Sequence, residues 1–263
     1  MASSPPTAEV YNTTRFEELY KGSLRPAMEN LALASLFLLR LFQRHEIPSA
    51  FLGGWAVYLR GGPRMTQDVD IAVATSMSRL KTVLLGEERV CFPENHGQTC
   101  IQIFVHTGMS WDQESATPYT VSVDVIIQGN LGTPANLTDG ITEIVPVPAE
   151  THIQQAPVLE IVYQFNAKLQ AYANRRSKTR RDFQDLQFLL FTNVGTITST
   201  SSQFDLEHRR TFFQDFCIPL MRPIRVSVTM QVKITNAPFF RHITSVDSIL
   251  QRYRVIPVKK ALD

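Results

Sequence analysis

Apolar and polar positions along the chain follow two different periods. Between Arg25 and His45 the apolar residues are dense and fall at helix-compatible spacing, and Ile47-Pro48 stops the run by removing a backbone donor. From Phe51 to Val73 the pattern changes within a few residues. An apolar pair and the diglycine Gly53-Gly54 lead into a short amphipathic segment (Trp55, Ala56, Val57, Leu59), which breaks at Gly61-Gly62-Pro63. A strand-like run follows, in which Asp68 and Asp70 alternate with Val69 and Ile71. Thr99–His106 alternates as a strand, and Gly108–Pro118 is polar and turn-rich, as in a hairpin loop. Tyr119–Ile127 is the clearest strand: Val121, Val123 and Val125 share one face, and Ser122, Asp124 and Ile126 the other. A short strand is expected at Ile144–Val147.

A long helical pattern begins near Ala156. Val158, Val162, Phe165, Leu169 and Tyr172 step by fours and threes, and Phe183, Leu186 and Leu190 resume the phase. One continuous helix fits this pattern. So does a break near Asn174–Lys178, with Thr179 and Asp182 capping a new helix. Thr192–Ser202 reads as a Ser/Thr-rich linker, Asp205–Cys217 as a helix and Ile224–Ile234 as a strand. There are no internal repeats. The Ser/Pro-rich start puts residues 1–24 in the disordered or irregular class.

Composition narrows the class. The 263 residues are enough for one large domain or two small ones. A formal net charge of +2 gives no global field that marks a nucleic-acid binder. Three cysteines, Cys91, Cys100 and Cys217, lack framework spacing and suit reduced thiols in a cytoplasmic setting. The N-terminus has neither the basic nor the apolar region of a secretory signal, and the apolar run Leu31–Phe42 is short and contains Arg40, so no membrane span is expected. Cys91, His96, Cys100 and His106 invite a zinc reading, but their spacing fits no standard pattern, and a hairpin with buried thiols is preferred.

The candidate chemistry lies with the acids. Two residues apart on a strand, Asp68 and Asp70 point to the same face and repel unless something positive lies between them. A divalent cation meets that need, and oxygen-only ligands select a hard one such as Mg2+ or Mn2+. The order of apolar residue, Gly-Gly, short helix and Asp-x-Asp strand resembles the nucleotidyltransferases of the DNA polymerase beta superfamily. The spelling GGWA, then Arg64-x-Thr66-x-Asp68-x-Asp70-Ile71, is most similar to the aminoglycoside and lincosamide nucleotidyltransferases and to the abortive-infection toxin type. The resemblance runs to about Phe191, but only this first motif is specific.

That resemblance implies a helix packed behind a first strand at Ala50–Leu52, a helix at Gly54–Leu59, a second strand at Met65–Ala74 and a helix at Met77–Leu85. It also implies a third carboxylate on a later strand. Asp124 is the best candidate, because mid-strand in an apolar context an acid is costly. Asp112, Glu114 and Asp139 fall in loops, where acids need no explanation. Gly53 and Gly54 would let the backbone approach phosphate oxygens, and Arg64 and Thr66 would grip the outer phosphates. The run KLQAYANRRSKTRRDFQDLQFLL resembles the second motif of the abortive-infection toxin type, with Arg181 where Lys is usual. Lys168 and Arg175 within it are either substrate ligands or partners of Asp182 and Asp185 on a helix face.

The expected fold is thus α+β with an α/β-like N-terminal half: a small mixed β-sheet nucleotidyltransferase core flanked by helices, then a mainly helical C-terminal part. Its expected divisions are a core over 25–150, a helical region over 151–195 completing a cleft, and an extension over 196–263. The implied activity is magnesium-dependent transfer of a nucleoside monophosphate from an NTP to a hydroxyl, with Asp68, Asp70 and Asp124 holding metal. The acceptor stays open between an RNA 3′ end (tRNA included), a small hydroxylated molecule and a protein. The alternative is a catalytically silent nucleotide-binding or partner-binding module of the same fold.

Overall fold

The computed structural model of the chain describes residues 8–112, 117–137, 140–148, 154–175 and 180–221, with side chains to 215. Eight strands form one mixed sheet. In chain order they are β1 (Glu9–Tyr11), β2 (Ser49–Leu52), β3 (Asp68–Val73), β4 (Val90–Pro93), β5 (Cys100–Thr107), β6 (Tyr119–Ile127), β7 (Thr142–Val147) and β8 (Gln154–Leu159), and across the sheet β1-β4-β5-β6-β3-β2-β8-β7. The α+β expectation holds: a mixed sheet, helices on it, and a helical C-terminal part.

Alternation sorts the two faces. Val69, Ile71 and Val73 on β3, Val121, Val123 and Val125 on β6, and Ile101, Ile103 and Val105 on β5 enter the main core. There they meet Leu31, Leu38, Leu41 and Phe42 of α2 (Met28–Arg44) and Leu80 and Leu84 of α4 (Met77–Leu85). Ser76 caps α4, its hydroxyl accepting from the Arg79 N–H at 3.2 Å. The other face is closed only at its ends. Tyr11, Leu19, Cys91 and Phe104 cluster under α1 (Thr13–Gly22), and Leu52, Ala72, Ile126, Leu137 and Leu159 cluster at the opposite end.

A second core lies among the C-terminal helices α5 (Ile161–Asn174), α6 (Arg180–Thr192), α7 (Val194–Ser199) and α8 (Leu206–Met221). Phe165, Leu169, Leu186, Leu190 and Phe212 fill it, and Val57 of α3 (Gly53–Leu59) reaches into it from the strand side. This contact ties the helical part to the diglycine segment. Among the described residues no helix is long and apolar enough to cross a membrane.

Several expectations need correction. Residues 9–22 are not irregular, because β1 pairs in parallel with β4 and Asn12 caps α1 by accepting from the Arg15 N–H at 3.0 Å. Residues 154–159 form a strand, so Val158 belongs to the sheet and the helix starts at Ile161, with Glu160 as its cap. A short apolar run does not distinguish strand from helix by period alone. Of the two helical alternatives, the break is the one found: α5 ends at Asn174 and a separate α6 begins at Arg180. The expected linker holds α7, and the hairpin loop holds a 3-10 turn at Met109–Trp111. Strand β4 was not anticipated. Glu114, Asp139, the Thr179 cap and the strand at Ile224–Ile234 lie outside the described residues.

Candidate active site

Three strands set the acidic cluster. Strand β3 runs parallel to β6 with Asp70 opposite Asp124 and Asp68 opposite Ser122. Paired residues point to one face, so all three carboxylates stand on the face that α2 and α4 leave open. On the far side of β3, Leu52 pairs with Asp70 and delivers the diglycine to it. The donor atoms of the three acids do not all fall within 4.8 Å of one another, since Glu9, Cys91 and His106 alone meet that limit among the described residues. Asp124 is nevertheless the registered neighbour of Asp70, and the three half-buried acids share one face.

Electrostatics follow from this crowding. Burial, then Asp68 and Asp124, push the Asp70 carboxyl up to about 7, against Lys168 and a Gly54 N–H bond of 3.3 Å to Oδ2. Burial, then Asp68, push Asp124 up to about 6. Asp68 accepts a 2.9 Å bond from the hydroxyl of Thr66, itself buried. The cluster therefore holds more negative charge than its own hydrogen bonds offset.

The diglycine is required by space. Gly53 has φ +63°, and a Cβ there would stand 1.7 Å from Asp70 Oδ2. A Cβ on Gly54 would stand 2.5 Å from the Thr66 hydroxyl and 3.1 Å from the Arg64 guanidinium. Arg64 is held bidentately by Asp185, both bonds at 2.5 Å. Asp185, only 1% exposed, also takes Lys168 Nζ at 2.7 Å, and Asp182 lies 3.7 Å from the same ammonium. Arg175 pairs with Asp182 at the outer edge of this network.

The structure thus gathers Asp68, Asp70, Asp124, Gly53, Gly54, Arg64, Thr66 and Lys168. Arg175 stands one ion pair away, and for it the helix-to-helix pairing is what is seen. Arg181, where the resembled motif has Lys, reaches the loop before β3 and donates to Gln67 at 3.2 Å. Gln164 was missed. Fully buried on α5, it donates to the Gly53 carbonyl at 3.1 Å and so links the helical part to the diglycine turn. Its signal was a lone amide on an apolar helix stripe. Asp112, set aside as a loop acid, forms a buried pair with Arg89 instead.

The expected hairpin with buried thiols is β4–β5: Cys91 is buried and Cys100 half-buried, both free. Burial, then Asp124 and Asp70, raise Cys100 to about 11, as befits its place beside the acids. A cavity of about 330 Å³ opens on that side, lined by Tyr11, Phe16, His96, Cys100 and Gln102 among others. Gln102 pairs in register with Asp124 and faces the same way.

No family model matches this chain, and no curated relative does. Among solved structures, an antigenic nucleotidyltransferase-like protein from Paracoccidioides brasiliensis is similar at TM-score 0.51 and 15% identity, over 72% of this chain and 87% of that one. ANT(2″)-Ia in complex with adenylyl-2″-tobramycin gives TM-score 0.43 and 10% identity, over 71% and 98%. Lincomycin-bound LnuA, a lincosamide antibiotic adenylyltransferase, gives 0.35 and 14%, over 59% and 92%. The last two similarities are too weak to build on. The first carries the architecture: this chain has a nucleotidyltransferase-like fold.

Proposed function

We propose that the protein transfers a nucleoside monophosphate from an NTP to an acceptor hydroxyl, with release of pyrophosphate. The observation that carries this reading is the pairing of Asp70 with Asp124 beside Asp68, on an open sheet face, under a backbone turn that tolerates no Cβ. Asp68, Asp70 and Asp124 would hold Mg2+ or Mn2+, for which an all-carboxylate set with unbalanced negative charge is suited. When bound, such cations supply charge stabilisation to the attacking and leaving oxygens.

The chain's own residues supply the rest. The acceptor oxygen forms a bond to the α-phosphorus while the bond to pyrophosphate breaks. Asp124 is placed to take the acceptor's proton; in the metal-free protein burial and Asp68 hold its carboxyl up at about 6. Gly53 and Gly54 admit the triphosphate close to the backbone. Arg64 and Lys168, pre-oriented by Asp185, offer positive charge to the outer phosphates. For the acceptor, the cavity beyond Asp124 has a volume suited to a ring or two, and no Lys or Arg is among the residues that line it. That favours a small hydroxylated molecule over an RNA end.

Incubation with each α-labelled NTP, Mg2+, and separate RNA, metabolite and protein fractions tests the proposal. Label is expected in the metabolite fraction and absent with Asp70→Asn. Label in RNA or protein would keep the transferase and replace the acceptor. Metal-dependent NTP binding with no label and no pyrophosphate would favour the silent module.

A further inference from the structure

The sheet edge under α1 holds a second constellation that nucleotidyl transfer does not use. Register sets Glu9 of β1 opposite Cys91 of β4, and Cys91 opposite Phe104 of β5, two residues before His106. All three side chains therefore share a face. Their donor atoms lie within 4.8 Å of one another, and no other trio of His, Cys, Asp or Glu among the described residues does this. Cys91 Sγ is 3.2 Å from His106 Nε2 and 3.5 Å from Glu9 Oε2. Around zinc, with bonds of about 2.3 Å to sulfur and about 2.0–2.1 Å to nitrogen or oxygen, tetrahedral angles put ligand atoms roughly 3.3–3.6 Å apart. The 3.5 Å sulfur–oxygen edge meets that spacing, and the 3.2 Å sulfur–nitrogen edge is a few tenths of an ångström short of it.

We propose that Glu9, Cys91 and His106 form a zinc site that fastens β1 and α1 to the sheet, with water as the fourth ligand. The mixed sulfur, nitrogen and oxygen set selects zinc over the hard cations suited to the aspartates. The surroundings orient the ligands. His106 Nδ1 is 3.1 Å from the Thr120 hydroxyl, which leaves Nε2 facing the sulfur, and Trp111 stacks on the ring at 5.9 Å. Arg15 is the cation that faces the trio. Its Nε donates to Glu9 Oε1 at 2.6 Å, while Oε2, the oxygen towards the sulfur, is held more loosely at 3.3 Å. Thiolate and carboxylate together carry two negative charges against that one guanidinium, and the thiol proton leaves to solvent on binding. Arg89 donates to the His106 backbone carbonyl at 2.5 Å and is already paired with Asp112. His106 also lines a cavity of about 430 Å³ with Trp111, Tyr119 and Thr120, which brings one of the three ligands to an open surface.

Of the four residues whose spacing fits no standard zinc pattern, Cys91 and His106 come together in the fold and the other two do not. His96 stays in the hairpin loop, its Nδ1 against the Gly97 carbonyl, and Cys100 sits beside the aspartates. Glu9, some eighty positions before its partners, completes the set instead.

The test uses the full chain, stripped with chelator and titrated with Zn2+ and with Co2+. One equivalent of zinc should survive dialysis in an Asp70→Asn background, where the hard-cation site is disabled. Cobalt should give a sulfur-to-metal charge-transfer band that Cys91→Ser abolishes and Cys100→Ser leaves intact. His106→Ala and Glu9→Gln should each weaken binding at least about tenfold. Absence of the band with excess cobalt, which is the outcome for a merely hydrogen-bonded trio, overturns the site. So does a band that survives Cys91→Ser. If Cys91→Ser does not fold, unchanged affinity in His106→Ala is decisive against it.

Discussion

Replacing Asp70 with Asn should make the metal-free protein more stable while abolishing its activity. The side chain keeps its shape and an oxygen for the Gly54 N–H, but one of three crowded negative charges is gone. Asp70 titrates near 7 in the folded protein against an ordinary 3.8, so the folded state binds more protons between those values. The sign follows from linkage: this group's favourable contribution is complete below about 3.8 and is lost as pH rises through about 7. At about 1.36 kcal/mol per pH unit, a shift of roughly three units sets a ceiling of about 4 kcal/mol. Relaxation and loss of the Gly54 bond strength reduce the expected gain to about 2 kcal/mol, or roughly 4–8 °C in melting temperature for a chain of this size. Thermal melts in EDTA at pH 8 and pH 4 would measure it. The gain should be present at pH 8 and mostly gone at pH 4. Added Mg2+ should raise the wild-type melting temperature at pH 8 and leave the variant nearly unmoved. A variant less stable than wild type at pH 8, or a difference independent of pH, would refute the account of the acidic cluster.

Four further outcomes follow from the same geometry. Asp124→Asn should cut turnover at least a hundredfold, measured as pyrophosphate release with Mg2+ present. Gly53→Ala should lose nucleotide binding, measured by calorimetry, because the added Cβ collides with Asp70 and the backbone is left-handed there. Asp185→Asn should destabilise the protein by about 3 kcal/mol in urea melts by leaving Arg64 and Lys168 poorly paired. In contrast Arg175→Ala, which removes a half-exposed partner of Asp182, should stay within about 1 kcal/mol.

Much of the fold was legible because its signals are local. The alternation in Tyr119–Ile127 appears with the bounds read from the sequence, and the helix at Met77–Leu85 with those the resemblance implied. Asp68 and Asp70 share a face by strand geometry alone, whereas the close approach of Gly53 to Asp70 comes from the pairing of Leu52 with Asp70. Val90–Pro93 and Gln154–Leu159 were illegible for the opposite reason. Each is a brief apolar run whose identity depends on what pairs beside it, and Pro157 is tolerated in the second because its strand shares a single registered pair with β2.

Tertiary structure alone decided which distant residues meet. Register between β3 and β6, more than fifty positions apart, set Asp124, already the best candidate from the sequence, directly opposite Asp70. Packing of α5 and α6 against the diglycine helix gave Arg64 to Asp185 and brought Gln164 to the Gly53 carbonyl. Pairing of β1 with β4 brought Glu9 to Cys91. Periodicity carries information over one turn or one pleat, and so it specifies which face a side chain takes. Which other face it meets depends on burying apolar surface across the whole sheet, a balance summed over residues too far apart for any local pattern to report.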